Sequence, residues 1–239
     1  IKHQYLGLLG VIICYDDYEK DIQPKIKELK KMFSEDPDDL VVLHRDEIVN
    51  RQGSFSKLND NALEEKFNTA LIDVMQNGQY TLCGVVLDKK SHFDRYGKSA
   101  MHPYHYCLYV LLERYVLFLE KNGSTGDVMS EARGNKEDDA LREVYEHFYN
   151  TGTNFISPER IKSKLTSKKI KLRTKQKSAE GLEFADLMVL VTKFYTLFVY
   201  GKIPEMTDNF SKKIASIIKC KFRDNGNGYI KGFGIKLIE

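Results

Sequence analysis

Residues 126–139, GDVMSEARGNKEDD, end an apolar run on a glutamate and then open a polar segment. The run predicts a short buried strand that ends at Glu131, and residues 136–149 predict the helix that follows it. A carboxylate is costly at the end of a buried strand unless something compensates its charge. One solution is a surface ion pair with Arg133. The other is a ligand site, because ligands in open α/β sheets bind beyond the carboxyl ends of the strands.

The alternation of strands and helices continues on both sides of this stretch. Further strands are predicted at 4–15 (QYLGLLGVIICY), 39–44 (DLVVLH) and 80–89 (YTLCGVVLDK), and further helices at 19–33, 60–76, 104–122 and 181–200. This order predicts an α/β fold in which helices cover both faces of the sheet. The domain organisation follows from the same pattern. Residues 1–239 are predicted to form a single domain with helical insertions at about 19–76 and a Gly-rich, hairpin-like tail at about 202–239.

Composition removes several classes of protein. The chain has 239 residues, of which 42% are hydrophobic, so it can bury a full core. No window is long and apolar enough to span a bilayer, and no cleavage pattern follows the apolar run at 4–15, which predicts a cytoplasmic protein without a membrane partner. The four widely spaced cysteines predict reduced thiols rather than disulfides or a zinc site. The sequence contains no Walker loop, no dinucleotide-binding fingerprint, no GxSxG and no HExxH.

Asp186 is the second conspicuous carboxylate. From Phe184 to Val191 it is the only charged residue, on a helix that has to pack against the sheet. It lies beyond the first turn, so the helix dipole gives it little support. A carboxylate in such surroundings needs a cation, which is either an Arg or Lys partner or a metal ion. Glu183, in the first turn, is accounted for by the dipole.

The third feature is basic. Residues 160–178, RIKSKLTSKKIKLRTKQKS, carry nine basic side chains and no acidic one, so the rest of the chain has a net charge of −6. Alternation along a predicted strand puts Lys169, Lys171, Arg173 and Lys175 on one face. A basic stripe of this kind suits a phosphate backbone and predicts nucleic acid as a partner. The alternative is an edge strand whose lysines prevent aggregation.

Two weaker candidates lie elsewhere. His44, with Asp46 and Glu47, has the chemistry of a metal site, although a single histidine at a strand end is more often a structural hydrogen-bonding residue. Glu113 and Arg114 interrupt a very apolar helix and point about 100° apart, so they cannot simply pair with each other. Their partners are expected elsewhere in the fold.

Six segments, taken in order, resemble the RNase H-like proteins catalogued as domain-of-unknown-function family 3800. They are LHRDEIVNRQGSF, VVLDK, HPYHYCLYVLLERY, GDVMSEARGNKED, GLEFADLM and KCKFRDNGNGYIKGFGIK, and they extend over nearly the whole chain. The resemblance implies a ribonuclease H-like fold with a mixed sheet and, by analogy, a metal-dependent nuclease. It also suggests a role in mobile elements or antiviral defence, with a possible protein partner in a defence or toxin system and a possible homo-oligomer. DNA and RNA both remain open as substrates.

The resemblance also implies roles for individual residues. In such folds the catalytic carboxylates lie on the first strand, at the end of the fourth strand and on the last helix, and the last two positions fall on Glu131 and Asp186. These two would hold Mg²⁺ or Mn²⁺ for a two-metal phosphodiester cleavage, with Asp138 as an auxiliary metal ligand. A capping role at the start of its helix is the plainer alternative for Asp138. Lys89, Arg133 and Lys175 are candidates for stabilising phosphate charge.

The sequence departs from the family at its front. Family members normally begin with a strand that ends in a DESG-like motif, ahead of the strand matched by QYLGLLGVII. Residues 1–239 contain no such strand, so we expect either that it lies upstream of Ile1 or that this protein has lost its first metal ligand. Without that ligand, a catalytically inactive module that binds nucleic acid or protein is the alternative function. A smaller departure is Glu183, where the family more usually has glutamine.

Overall fold

The computed structural model describes residues 4–34, 36, 41–174, 179–206 and 209–239. The strands are β1 (Tyr5–Ile12), β2 (Thr81–Asp88), β3 (Met129–Glu131), β4 (Lys171–Arg173) and β5 (Ile235–Ile238). The α-helices are α1 (Tyr15–Asp17), α2 (Gln23–Lys31), α3 (Arg45–Val49), α4 (Asn61–Asn77), α5 (Lys89–Tyr96), α6 (Pro103–Lys121), α7 (Asn135–Thr151), α8 (Pro158–Lys164), α9 (Glu180–Val199) and α10 (Asn209–Ile218). A π-helical turn at Tyr18–Ile22 leads into α2, and short 3₁₀ turns lie at Gly53–Asn59, Gly97–Ser99 and Lys219–Lys221.

β2 is the central strand of a three-stranded sheet in the order β1-β2-β5. It pairs antiparallel with β1, so that Tyr5 lies opposite Asp88, and parallel with β5, where Gly84 lies opposite Ile235. All its residues after Thr81 are buried, as expected for a strand with a neighbour on each side. The predicted mixed sheet is therefore confirmed for these three strands.

Alternate side chains of β2 show that helices cover both faces of this sheet. Cys83, Val85 and Leu87 pack in one cluster with Cys107 and Leu111 of α6. On the other face, Gly84 lies against α9, where an added Cβ would come within 2.5 Å of Thr192 Cγ2. Only a glycine allows α9 to approach the strand this closely. The mixed α/β class and the covering of both sheet faces are thus confirmed.

The predicted single sheet was wrong, because β3 and β4 form a separate parallel pair. Glu131 at the end of β3 lies opposite Arg173 at the end of β4. α6, α7 and α8 pack over this pair in a second apolar cluster, which includes Val116, Tyr145 and Ile161. α9 contacts both β1 and β3, so it borders both sheets.

Two further predictions need correction. Residues 41–44 form no strand; they are an extended loop, and 37–40 lie outside the described residues. The tail was predicted to be hairpin-like, but its strand β5 instead adds parallel to β2, and the preceding segment contains α10. Arg114 donates from Nη2 to the carbonyl of Gly232 at 2.8 Å, so it anchors the tail and does not reach the site proposed below.

The predictions about thiols and membrane spans can also be compared with the structure. All four cysteines are free, with Cys83 and Cys107 buried and Cys14 and Cys220 exposed. Burial raises the pKa of Cys83 to about 11 and that of Cys107 to about 12, so these two are unreactive core thiols. None of the helices in the described ranges has the length and apolarity needed to cross a membrane.

Candidate functional site

A small pocket of about 30 Å³ lies where the loop before α3, the ends of β3 and β4, and the first turns of α9 meet. Its lining includes Leu43, His44, Glu131, Arg173, Glu183 and Asp186. The family resemblance implies that Glu131 and Asp186 belong to one metal site, and the structure brings both to this pocket. Arg173, predicted as part of the basic stripe, lies there as well.

The β3–β4 pair positions Glu131 and Arg173. The strands are parallel and in register over three residue pairs, and the amide of Ala132 extends the ladder by donating to the carbonyl of Arg173 at 2.9 Å. Both side chains therefore leave the ends of neighbouring parallel strands at one edge, where ligand sites form in α/β folds. Together they bring one acidic and one basic group to the same wall of the pocket.

Asp186 enters the pocket from the second turn of α9. Its Oδ2 accepts a hydrogen bond of 2.9 Å from the backbone N–H of Arg45, the first residue of α3. No described residue forms an ion pair with this carboxylate, and Lys175 and Lys177 lie outside the described residues, so the alternative of an Arg or Lys partner stays a prediction. One hydrogen bond to a backbone amide only partly offsets the desolvation of a carboxylate.

Glu183 has a role that its position in the first turn did not reveal. Its Oε1 accepts from Lys30 Nζ at 2.7 Å, and its Oε2 accepts from the backbone N–H of Leu43 at 2.8 Å. Lys30 and Glu183 are both nearly buried, with side chains 13% and 5% exposed. This pair links α2 to α9 and holds the loop that carries His44 over the pocket.

Glu180 extends this polar cluster by one turn. It accepts hydrogen bonds from Gln23 Nε2 at 3.3 Å and from Tyr18 Oη at 3.4 Å. Burial opposes ionisation of the carboxyl, but hydrogen bonds from its own backbone N–H and from Gln23, with Lys30 nearby, hold its pKa below the ordinary value. Glu180 is therefore ionised at neutral pH.

His44 lines the same pocket, and its ring nitrogen Nδ1 has unusual surroundings. Its Nδ1 is buried and has no hydrogen-bond partner among the described residues. A buried polar atom without a partner is unfavourable, and few occur in folded proteins. Of the two predicted alternatives for His44, a structural hydrogen-bonding role is thus not observed at Nδ1.

Arg133 and Asp138 lie beside the pocket and not in it. The Arg133 guanidinium lies 4.7 Å from the centre of the Tyr104 ring. Asp138 is buried in the first turn of α7, where its Oδ1 accepts a 2.8 Å hydrogen bond from the backbone N–H of Arg133. α7 has no side-chain cap at its N-cap residue, Gly134, so the capping alternative is not observed; the contact instead ties the first turn of α7 to the turn that follows β3.

The remaining predicted binding residues are dispersed. Lys169 is exposed just before β4, and Lys171 is exposed on β4 but pairs with Asp127. Lys175 lies outside the described residues. Lys89 begins α5 at the far end of β2, and its amide donates to the carbonyl of Gln4.

The residues of the pocket fit a divalent cation in part. Mg²⁺ and Mn²⁺ favour carboxylate oxygens, and Mg²⁺ is usually held by one or two carboxylates together with water and substrate phosphate. Glu131 and Asp186 supply such a pair. Within the described ranges, however, no three His, Cys, Asp or Glu side chains are grouped so that they could hold a metal ion. A two-metal site would need a further acid from outside this set.

The comparisons with known proteins add no constraint. No protein-family model, no curated protein and no solved structure matches this chain.

Proposed function

We propose that this protein is a divalent-metal-dependent nuclease with a ribonuclease H-like arrangement of its site. The observation that carries the proposal is the convergence of Glu131 and Asp186 on one pocket, from positions 55 residues apart in the sequence. One carboxylate ends a strand and the other belongs to a long helix that borders both sheets. The resemblance implies a carboxylate on the last helix of the domain, whereas α9 is followed by one more helix, α10.

Each residue has a defined task in this proposal. Glu131 and Asp186 would hold Mg²⁺ or Mn²⁺, which when bound would supply Lewis-acid activation of water and charge stabilisation at the leaving oxygen. Arg173, beside Glu131, neutralises the non-bridging oxygens of the phosphodiester. Lys169, exposed just before β4, extends this positive charge along the backbone of the nucleic acid. The Arg45 amide orients Asp186.

A catalytically inactive nucleic-acid-binding module is the second candidate. It is favoured by the absence, within the described part of the chain, of a third acid grouped with Glu131 and Asp186. It predicts the same phosphate contacts but no dependence on metal. A protein-interaction role in a defence or toxin system would need neither phosphate contacts nor a bound metal.

The test is turnover of single- and double-stranded DNA and RNA by the full-length protein, with Mn²⁺ and with EDTA. We expect Mn²⁺-dependent cleavage of at least one substrate. Asp186→Asn and Glu131→Gln should each lower it by at least about 100-fold, the upper end of the loss seen when a group that only supports a metal ligand is removed. Asp186→Asn keeps an oxygen for the Arg45 amide, so its melting temperature should stay near that of the wild type.

Glu137→Gln serves as the matched control, because Glu137 is an exposed carboxylate in the first turn of α7 that does not line the pocket. It should retain full cleavage. If the full-length protein binds these substrates but cleaves none of the four with Mn²⁺, the enzyme proposal fails in favour of the binding module.

A further inference from the structure

Arg133 follows Glu131, the carboxylate that ends β3, by two residues. Consecutive Cα atoms are about 3.8 Å apart, so the Cα atoms of these two residues lie within about 8 Å of each other. Arg133 is exposed, and within the described ranges it forms no ion pair. A guanidinium that no carboxylate neutralises therefore lies beside the pocket.

The Arg133 side chain lies over the ring of Tyr104, with 4.7 Å between the guanidinium carbon and the ring centre. Tyr104 is in the first turn of α6 and packs against the second apolar cluster, which holds its ring in place. The backbone N–H of Arg133 is held as well, by its 2.8 Å hydrogen bond to the buried Asp138. Because both partners of the contact are fixed, the guanidinium loses little further freedom when a ligand binds.

This arrangement leaves the outer face of the guanidinium open to solvent. Unpaired bases of single-stranded nucleic acids stack on such surfaces, which are arginine planes and aromatic rings. The base-paired positions of a duplex are stacked on both sides and do not offer a free face. The chemistry of the contact therefore favours an unpaired base.

The aromatic surface continues from Tyr104 along the start of α6. The ring of His105 lies 6.2 Å from that of Tyr104, and the exposed ring of His102 lies 4.9 Å from that of His105. Burial, and then the charge of His102, lower the pKa of His105, so His105 is a neutral ring at pH 7. A strand that leaves the pocket at Arg133 would thus meet further flat groups and no carboxylate among these residues.

We propose that the guanidinium of Arg133, supported by the ring of Tyr104, stacks on an unpaired base of the nucleic acid next to the phosphate held at the pocket. This inference rests on the proposed function and specifies its substrate as single-stranded at that position. The contact would accept any of the four bases, since each has a flat π face. Arg173 remains available for the phosphate.

The experiment compares Arg133→Lys with Arg142→Lys by fluorescence anisotropy, in EDTA to prevent cleavage. The ligands are a labelled oligothymidine of about 12 nucleotides, or oligouridine if the protein binds RNA more tightly, and its abasic counterpart. Lysine keeps the positive charge of Arg133 but lacks the flat guanidinium. Arg142 pairs with Asp139 on the surface of α7, so its variant makes the same exchange away from the proposed contact.

We expect Arg133→Lys to bind the strand that carries bases about fivefold more weakly than the wild type, the lower end of the loss for one stacked base. Its affinity for the abasic strand and its dependence on salt should stay at the wild-type values, because the charge is kept. Arg142→Lys should match the wild type on both strands.

The other outcomes are distinct. An equal loss on both strands would show that Arg133 contacts a phosphate, and no loss on either would leave the residue to the fold or to a partner protein. Each of these results, or binding of duplex alone by the wild type, overturns the inference while the nuclease proposal stands. If the wild type binds no strand and no duplex of equal length, both are overturned.

Two variants of Tyr104 separate stacking from packing. Tyr104→Phe keeps the ring beside the guanidinium and should bind both strands as the wild type does. Tyr104→Leu keeps an apolar side chain on the second apolar cluster but removes the ring, so it should show the same base-dependent loss. An equal loss of affinity for both strands, together with a marked fall in melting temperature, would assign the contact to the packing of α6 and overturn the inference.

Discussion

At the scale of single residues, three acids on α9 recur at intervals of three, Glu180, Glu183 and Asp186, and each has different surroundings. Glu180 is hydrogen-bonded to Gln23 and Tyr18, and Glu183 is paired with Lys30. Asp186 accepts one backbone hydrogen bond and faces the pocket. The first two carboxylates hold the scaffold in place, which leaves Asp186 as the one that is suited to a ligand.

The Lys30–Glu183 pair gives a prediction for stability. Glu183→Gln should lower the free energy of unfolding by about 2 kcal/mol, because it removes the closer carboxylate from the nearly buried Lys30, whose contact with Glu180 is longer, at 4.0 Å. The measurement is urea unfolding at pH 7 and moderate salt. Replacing both residues, as Lys30→Met with Glu183→Gln, should restore part of the loss.

Lys31→Met is the control for this cycle, since Lys31 pairs with Glu28 on the surface, where both side chains are about two-thirds exposed. It should change the free energy of unfolding by less than about 1 kcal/mol. Equal effects of Glu183→Gln and Lys31→Met would mean that the buried pair does not hold α2 against α9.

The local sequence could predict Glu131 and Asp186 because each is a carboxylate among apolar neighbours. It could not predict the role of Glu183, because the partner that explains it, Lys30, is 153 positions away. His44 was considered as a ligand from its chemistry alone. The burial of its Nδ1, which has no hydrogen-bond partner among the described residues, depends on how the loop packs against α9, which no local pattern encodes.

At the scale of elements, β4 has the alternation predicted for it. Ile170 is buried and Leu172 half-buried, whereas Lys169, Lys171 and Arg173 are exposed. The three basic residues nevertheless differ. Lys171 pairs with Asp127, and although burial opposes ionisation there, hydrogen bonds from Lys171 and Thr166 hold the pKa of Asp127 below its ordinary value. Arg173 lines the pocket and Lys169 faces solvent.

This difference predicts unequal effects on nucleic-acid binding. Replacing Lys169, Lys171, Arg173 and Lys175 together with glutamine should weaken binding and flatten its dependence on salt, because fewer counterions are released. Among single variants, Lys171→Gln should have the smallest effect, since its charge is already neutralised by Asp127. Anisotropy titrations over a range of salt give all the slopes. Unchanged binding by the fourfold variant, together with new aggregation, would instead support the edge-protection alternative.

Elements differ in how well their sequence specifies them. β2 and α6 were correctly predicted because their apolar runs have the length and the boundaries of one structure each. Residues 41–44 have the composition of a strand, but no strand among the described residues pairs with them; the Leu43 amide donates instead to the Glu183 side chain of α9. α10 was not predicted, although Ser211, Ile214, Ala215 and Ile218 are buried at helical spacing. The glycines that follow this helix favour turns, and they led to the prediction of a hairpin-like tail.

At the scale of the whole molecule, the first strand is incompletely paired. β1 is eight residues long, and within the described ranges it pairs along only one edge, with β2. Leu6, Leu8, Leu9, Val11 and Ile12 are half-buried, although α6 and α9 cover the two faces of the sheet. Free edge strands are usually protected by a charged residue, a proline or a bulge, but β1 contains none of these. β3 likewise pairs only with β4 among the described strands.

The open edge predicts that the fold accepts one more strand, and this would explain why the predicted single sheet is divided in two. We expect an apolar strand of about eight residues, joined ahead of β1 through a two-residue turn, to pair antiparallel with β1 and to raise the melting temperature by several degrees. If that strand carries an aspartate at the end nearer Glu131 and Asp186, Mn²⁺-dependent cleavage should increase as well, and Asp186→Asn should abolish the gain. The matched control has asparagine in place of the added aspartate; it should keep the gain in melting temperature and lose the gain in cleavage. An added strand that changes neither quantity would show that β1 is a finished edge and that the third acid does not enter by this route.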